Sequence, residues 1–324
     1  MLRTRFTDLV GCTVPLQQAP MGSFSRARLA GAVSAAGGLG MVVVSGEKPS
    51  RVAQRLDASL AQSRGPIGAN FFLVLCDPAT LPACVATAAA RVRVVDFFYG
   101  QPDPSLVAIV HQHGALASWQ IGSLEEAVAA EAAGCDFIVA QGVEAGGHVR
   151  GQVGLLTLLS EVLEAVTVPV VAAGGIGTAR AVAAALAAGA DGVRVGTRFV
   201  AAEEAEAHPR YVEALIASRA SDTLLADTFT LGYTGAPHRV LRTSAQAAAA
   251  FEGDVVGETY DPESGTTRPI HRFQKMTATR HASGTIEAMP LWAGESVSGV
   301  RASQPAATII DELMSEAEAL LRRF

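Results

Sequence analysis

One histidine in this chain ends a glycine turn, and two further glycine turns follow it. The first is Gln141-Gly142-Val143-Glu144-Ala145-Gly146-Gly147-His148, delivered by the apolar run Phe137 to Ala140. The second is Gly174-Gly175-Ile176-Gly177, delivered by Val168 to Ala173. The third is Gly196-Thr197-Arg198-Phe199, delivered by Gly192-Val193-Arg194-Val195. Such turns present bare backbone N–H groups and can hold a phosphate without a lysine. The Thr197 hydroxyl adds to that set. An imidazole beside a phosphate site, with an ordinary pKa of about 6.5, can take or hold a proton near neutrality. His148 is therefore the candidate acid–base residue.

Other chemistry-bearing residues read differently. Glu144 is expected to shape its turn and not to react. Cys135 precedes its strand, at the wrong end of a parallel sheet for a nucleophile. His111 and His113 flank the end of a helix, far from the glycine turns, and His208 before Pro209 is expected at the surface. His238, His271 and His281 lie in an irregular stretch, and the sequence does not choose among them. Asn70 and Gln141 are amides suited to the polar edge of a heterocycle. Ser118 and Gln120 end another strand-like run and are assigned to the substrate side.

Positioning these groups requires elements that repeat. Eight short apolar runs, starting at Pro15, Gly40, Ile67, Val92, Ala115, Phe137, Val168 and Gly192, alternate with Ala-rich helical segments. That alternation reads as repeated βα units around a parallel sheet. Gly37, Gly114, Gly134 and Gly189 each fit a left-handed helix end just before a strand, and Ser123 fits an N-cap. Eight units suit an α/β fold of the (β/α)8 barrel type, with its site at the C-terminal ends of the strands. The rival doubly wound fold lacks its dinucleotide fingerprint: Arg180 stands where the third glycine or alanine belongs, and Asp191 precedes the next strand instead of ending it. We expect residues 1–220 to form the barrel core, with Ala201 to Ala220 still helical. Residues 221–300 are expected to form a cap on the substrate side. In the last segment, 301–324, an amphipathic helix over Pro305 to Phe324 returns to the barrel.

Bulk properties agree. The chain has 324 residues, 49% hydrophobic and 17% charged, enough for one large core. A net charge of −6 without a basic stripe argues against nucleic acid as a partner. No apolar run reaches the roughly 18 residues of a membrane span. The start, Met1 to Leu9, has two arginines but no apolar h-region, so a cytoplasmic protein is expected. Cys12, Cys76, Cys84 and Cys135 are scattered and read as free thiols, with neither a disulfide framework nor a metal site. Association with further copies is left open.

The run Ala140 to His148 resembles the signature of nitronate monooxygenases, formerly 2-nitropropane dioxygenases. The resemblance extends to Gln18-Ala19-Pro20-Met21-Gly22, Ser34 to Gly40, Ala172 to Ile176, Gly196 to Phe199, Glu203 to Pro209 and, more loosely, Leu291 to Glu295. It implies FMN as cofactor and a small-molecule substrate with O2: alkyl nitronates, or nitroalkanes, oxidised to carbonyl compounds and nitrite. It also implies that Met21 and Gly22 pass along the flavin ring and that Asn70, Gln141 and Gly146, with Gly147 beside them, contact FMN. Gly174, Gly175, Arg194, Val195, Gly196 and Thr197 would serve its phosphate side, and His148 would be catalytic. As imidazolium, His148 would stabilise the nitronate; as neutral base, it would take the α-proton of a nitroalkane. Arg194 and Glu295 stand where the family often has glutamine. Arg194 could add charge near the phosphate or point outward, and Glu295 puts an acid near the substrate. Two other readings stand beside this one: an NAD(P)H-using flavin-dependent enoyl-acyl-carrier-protein reductase, which shares the Glu-Ala-Gly-Gly-His turn, and a flavin-binding protein without turnover.

Overall fold

The computed structural model describes residues 2–231, 235–262 and 265–323. Eight parallel strands form one sheet: β1 (Leu16–Gln18), β2 (Gly40–Val43), β3 (Ile67–Phe72), β4 (Val94–Phe98), β5 (Leu116–Ile121), β6 (Phe137–Gln141), β7 (Val170–Ala173) and β8 (Gly192–Val195). β1 pairs with β8 in the register Gln17 to Arg194, and a parallel bridge from Gln17 to Leu39 closes the seam towards β2. The barrel expected from the sequence is thus present. β7 starts at Val170, just after Pro169, which has no N–H for the ladder.

Local chemistry explains the repeat. Gly37, Gly114, Gly134 and Gly189 all have φ between 73° and 106°, which turns each helix end back to the sheet. The Ser123 hydroxyl accepts from the Glu126 N–H at the next helix start. The short helix Arg5–Val10 plugs the N-terminal end of the barrel. Its Phe6 meets Phe137 edge-on at 5.4 Å, and Arg5 grips Asp191 at 2.7 Å.

After β8 the chain makes only the four-residue helix Thr197–Val200 before leaving the barrel. The helix expected over Ala201 to Ala220 is confined to Pro209–Ala217. Pro209 bars the helical conformation from His208, and the His208 Nδ1 instead caps the helix by accepting from the Arg210 N–H at 3.2 Å. His208, expected at the surface, is half-buried. The missing barrel helix is supplied by the far end of the chain. Ala306–Leu321 buries Ile309, Ile310, Leu313, Met314 and Ala317 against the helices Ala27–Ala35 and Ala179–Ala187. Buried Arg198 ties it down through Glu312 at 2.6 Å and the Gly299 carbonyl.

Between these parts lie two three-stranded antiparallel sheets. One contains Thr223–Ala226 and His238–Leu241, and takes Gly147–His148 from the β6 loop as its third strand, with His238 opposite His148. The other contains Val255–Asp261, Thr266–His271 and Ala282–Gly284. Among the described residues no helix is long and apolar enough to cross a membrane, and no His/Cys/Asp/Glu cluster could hold a metal.

Candidate active site

A cavity of about 450 Å³ opens at the C-terminal ends of the strands. It gathers residues far apart in sequence: Met21, Gly22, Asn70, Gln120, Gln141, Gly146, Gly147, His148, Gly174, Gly175, Arg194, Gly196 and Thr197. Gln274 to Thr277, Trp292 and Ser296, from the chain beyond the barrel strands, complete the lining. No aspartate or glutamate is among the described lining residues.

Each loop is held by a few named bonds. Gln18 donates to the Ser25 hydroxyl at 2.7 Å and accepts from the Met41 N–H, and Ser25 accepts from the Met21 N–H at 2.6 Å. These fix Met21 and Gly22 over β1. Gln141 clamps the histidine loop from below: its Nε2 donates to the His148 carbonyl at 3.0 Å and its Oε1 accepts from the Arg150 N–H at 3.1 Å. The Glu144 carboxylate accepts from the Leu155 N–H at 2.9 Å, so it shapes the turn and caps the next helix, as its position suggested. Gly147, Gly174 and Gly175 have φ of 71°, 105° and 69°, and a Cβ on Gly147 would meet no atom within 4 Å. The Thr197 hydroxyl accepts from the Gly294 N–H at 3.0 Å.

Three of the expected site residues lie elsewhere, and a fourth points differently. Ser118 is fully buried, its hydroxyl donating to Asp96 at 2.7 Å inside the barrel, so it does not face the substrate side. Val195 is wholly in the core, because alternation along β8 turns its neighbour Arg194 inward. Glu295 pairs with Arg239 at 3.2 Å instead of lining the cavity. Arg194 neither reaches a phosphate from the rim nor points outward. Its guanidinium lies beneath the cavity, donating to Asp96 at 2.8 Å, to Gln17 at 3.0 Å and to Gln120. Asp96 also accepts from Asn70 at 2.8 Å. Asp96 was legible as the one carboxylate inside an apolar strand but was passed over. Lys275 carries no local pattern, and Trp292, within the Leu291 to Glu295 run, was given no role of its own.

The His148 ring sits in an aromatic surround. Centroids of Phe72, Trp292, Tyr99 and His238 lie at 5.1, 5.7, 5.9 and 5.9 Å. Burial pushes its pKa down from 6.5 to about 3, helped by His238 and Lys275. The imidazole is therefore neutral near pH 7. His238 is also neutral: Nε2 accepts from the Phe229 N–H at 3.1 Å, which leaves Nδ1 to donate to the Ala236 carbonyl at 3.1 Å. Burial lowers its pKa as well. Of the three histidines the sequence left open, His238 is the one beside His148. His111 is remote, paired with Asp136 at 2.9 Å.

The model of the nitronate monooxygenase family matches residues 3–316 of this chain. The chain belongs to that family. Family members are flavin-dependent oxidoreductases. A nitronate monooxygenase of Pseudomonas aeruginosa is 30% identical over 364 aligned positions, covering 96% of this chain and 98% of that one. A (3aS,4S,5R,7aS)-5-hydroxy-7a-methyl-1-oxo-octahydro-1H-indene-4-carboxyl-CoA dehydrogenase of Rhodococcus jostii is 32% identical over 280 positions, covering 86% and 75%. The structure of FabK from Thermotoga maritima superposes with a TM-score of 0.82 at 29% identity, over 100% of this chain and 98% of that one. These likenesses cover nearly the whole chain, and the chain is an oxidoreductase of this flavin-dependent family.

Proposed function

We propose that the chain is an FMN-dependent nitronate monooxygenase, oxidising alkyl nitronates, and nitroalkanes after deprotonation, with O2 to carbonyl compounds and nitrite. The observation that carries this reading is His148, packed among aromatic rings and lining a cavity walled by three glycine turns. The lining fits a flavin mononucleotide. Successive left-handed glycines at 174 and 175 leave the backbone uncovered, Gly147 faces open space, and among the described lining residues no carboxylate repels a phosphate. Gly174, Gly175, Gly196 and Thr197 would hold the phosphate. Met21, Gly22, Asn70, Gln141 and Gly146 would border the ring. When bound, FMN supplies the electron acceptor.

The protein's own share is placement and proton handling. We assign His148 the base role because burial disfavours its imidazolium form; the same burial lowers its proton affinity, so the proton transfer depends on placement against the substrate. A ring nitrogen of His148 takes the α-proton of a nitroalkane, and the two carbon–hydrogen electrons pass into the nitronate. Phe72, Phe98 and Trp292 hold the alkyl part and keep water off. Replacing His148 by Asn tests this. Flavin content, read by absorbance, should stay unchanged. Turnover of a neutral nitroalkane should drop roughly 10²- to 10⁴-fold, the usual worth of general-base help, and preformed nitronate should suffer less. An unchanged nitroalkane rate removes His148 from the mechanism. Flavin bleaching by NADH with inertness to nitronate assigns the protein instead to the reductase reading. Inertness to nitronate, NADH and enoyl thioesters alike leaves a flavin-binding module.

A further inference from the structure

We propose that the buried Arg194–Asp96 pair beneath the cavity sets the reduction potential of the flavin, its cationic end facing the pyrimidine edge of the ring and stabilising the negative charge that edge gains on reduction. This role rests on FMN occupying the cavity.

The pair is oriented. Asp96 has no exposure and is not among the lining residues, whereas Arg194, Gln120 and Asn70 are. The guanidinium therefore stands in front and the carboxylate behind it. Strand register fixes that order. Asn70, Asp96 and Ser118 pair directly across β3, β4 and β5, and Arg194 pairs with Gln17 across β8 and β1. Arg194 thus crosses the barrel interior from β8 to meet Asp96 on β4 at 2.8 Å. Barrel interiors are ordinarily filled by branched apolar side chains, and a buried ion pair is no more stabilising than such packing. Stability alone does not account for a charged pair in this place.

The pair also dictates which way its neighbours point. A guanidinium only donates, so Gln120 turns its oxygen to Arg194 and keeps its NH2. A carboxylate only accepts, so Asn70 gives Asp96 its NH2, at 2.8 Å, and keeps its oxygen. Among the described residues the Gln120 Nε2 and the Asn70 Oδ1 have no partner, yet neither is sealed off as a buried orphan, so both give onto the cavity their residues line. Arg194 uses one N–H from each nitrogen, on Gln17, Gln120 and Asp96, which leaves one on each terminal nitrogen. The floor therefore offers donors from Gln120 and Arg194 and an acceptor from Asn70. The pyrimidine edge of an isoalloxazine is the complement: the N3–H donor between the C2 and C4 carbonyl acceptors. Reduction by two electrons and one proton leaves the flavin an anion, with its charge at N1 and the C2 carbonyl. Charge placed near N1 is a lever on flavin electronics. The guanidinium favours the reduced anion, and Asp96 behind it keeps the effect below that of a bare cation.

The test uses FMN-loaded wild type, Arg194→Gln, Arg194→Lys and Asp96→Asn. Each is reduced slowly with dithionite without oxygen, beside a reference dye, to read the potential of the bound flavin. The dissociation constant of oxidised FMN is measured by fluorescence. Arg194→Gln should bind reduced FMN roughly 10- to 100-fold more weakly relative to oxidised FMN, the range of a charge-assisted hydrogen bond. At about 30 mV per tenfold for two electrons, its potential falls by about 30–60 mV. Arg194→Lys keeps the charge and should recover most of that loss. Asp96→Asn uncovers the guanidinium and should shift the potential upwards. Equal weakening of oxidised and reduced FMN in Arg194→Gln, which leaves the potential at the wild-type value, overturns the proposal, since the residue would then only shape the site. A downward shift in Asp96→Asn overturns it as well. If Asp96→Asn does not fold, the contrast between the Gln and Lys variants decides, and equal potentials in those two overturn it. Wild-type protein that binds no FMN ends both this role and the functional reading. Shifts of the expected signs in a protein inert to nitronate sink the monooxygenase reading and leave the role of the pair standing.

Discussion

Asp96 has no exposure to solvent and accepts hydrogen bonds from Arg194, Ser118 and Asn70. Removing one partner of such a buried pair strands the other, which costs about 3–5 kcal/mol. Asp96→Ala should lose that much in urea unfolding, and the double variant Asp96→Leu, Arg194→Met should regain a large part. A double variant no better than the single would show that packing, not charge, is at stake. The histidines predict a pH effect of definite sign. Unfolded His148 binds a proton near its ordinary pKa of 6.5, whereas folded His148 holds out to about 3. Between those values the unfolded state carries more protons, so stability falls as pH falls, by at most about 1.4 kcal/mol per pH unit for one group. His148→Asn should flatten the slope of unfolding free energy between pH 6 and 4. A slope identical to wild type would mean that the imidazole is not buried neutral.

At the scale of elements, adjacent glycines in one loop should respond oppositely to a methyl group. A Cβ on Gly146 would stand 2.4 Å from the Gly294 nitrogen and 2.8 Å from the Ala293 carbonyl carbon. Both atoms belong to one backbone peptide, which cannot swing aside as a side chain can, so Gly146→Ala should push that turn away and lower the melting temperature. A Cβ on Gly147 meets nothing, so Gly147→Ala costs only the strain of left-handed backbone, about 1 kcal/mol, but puts a methyl into the cavity. It should melt nearly as wild type yet retain less flavin. The strands and glycine turns were legible because each is coded locally, by an apolar run followed by residues that tolerate positive φ. The partners of the loops were not. Gln141 reads as a ligand amide from its neighbours alone, and only the fold reveals that both ends of its amide clamp the His148 loop. Ser118 and Glu295 were misread for the same reason: position at a strand end does not say which way a short side chain turns, nor that Arg239 waits opposite Glu295.

For the whole molecule, the last helix completes a ring that the first 200 residues leave open. Ile310 and Leu313 are almost fully buried under it. Leu313→Ala should cost about 2–5 kcal/mol, as much as a truncation within the barrel itself, measured by denaturant unfolding; a cost below about 1 kcal/mol would mean that the helix merely rests on the surface. The barrel wall therefore cannot be complete until the chain's end has arrived. The amphipathic pattern announced this helix, but its place between the helices Ala27–Ala35 and Ala179–Ala187 follows from topology, which no local pattern encodes. Another long-range join has a functional consequence. Gly147 and His148 belong to the β6 loop and at the same time hydrogen-bond as the outer strand of the cap sheet, and Arg239 reinforces the join through the Val143 carbonyl. Any displacement of that sheet would carry the imidazole with it. On the proposed mechanism, proton transfer to the imidazole therefore requires that sheet to be seated.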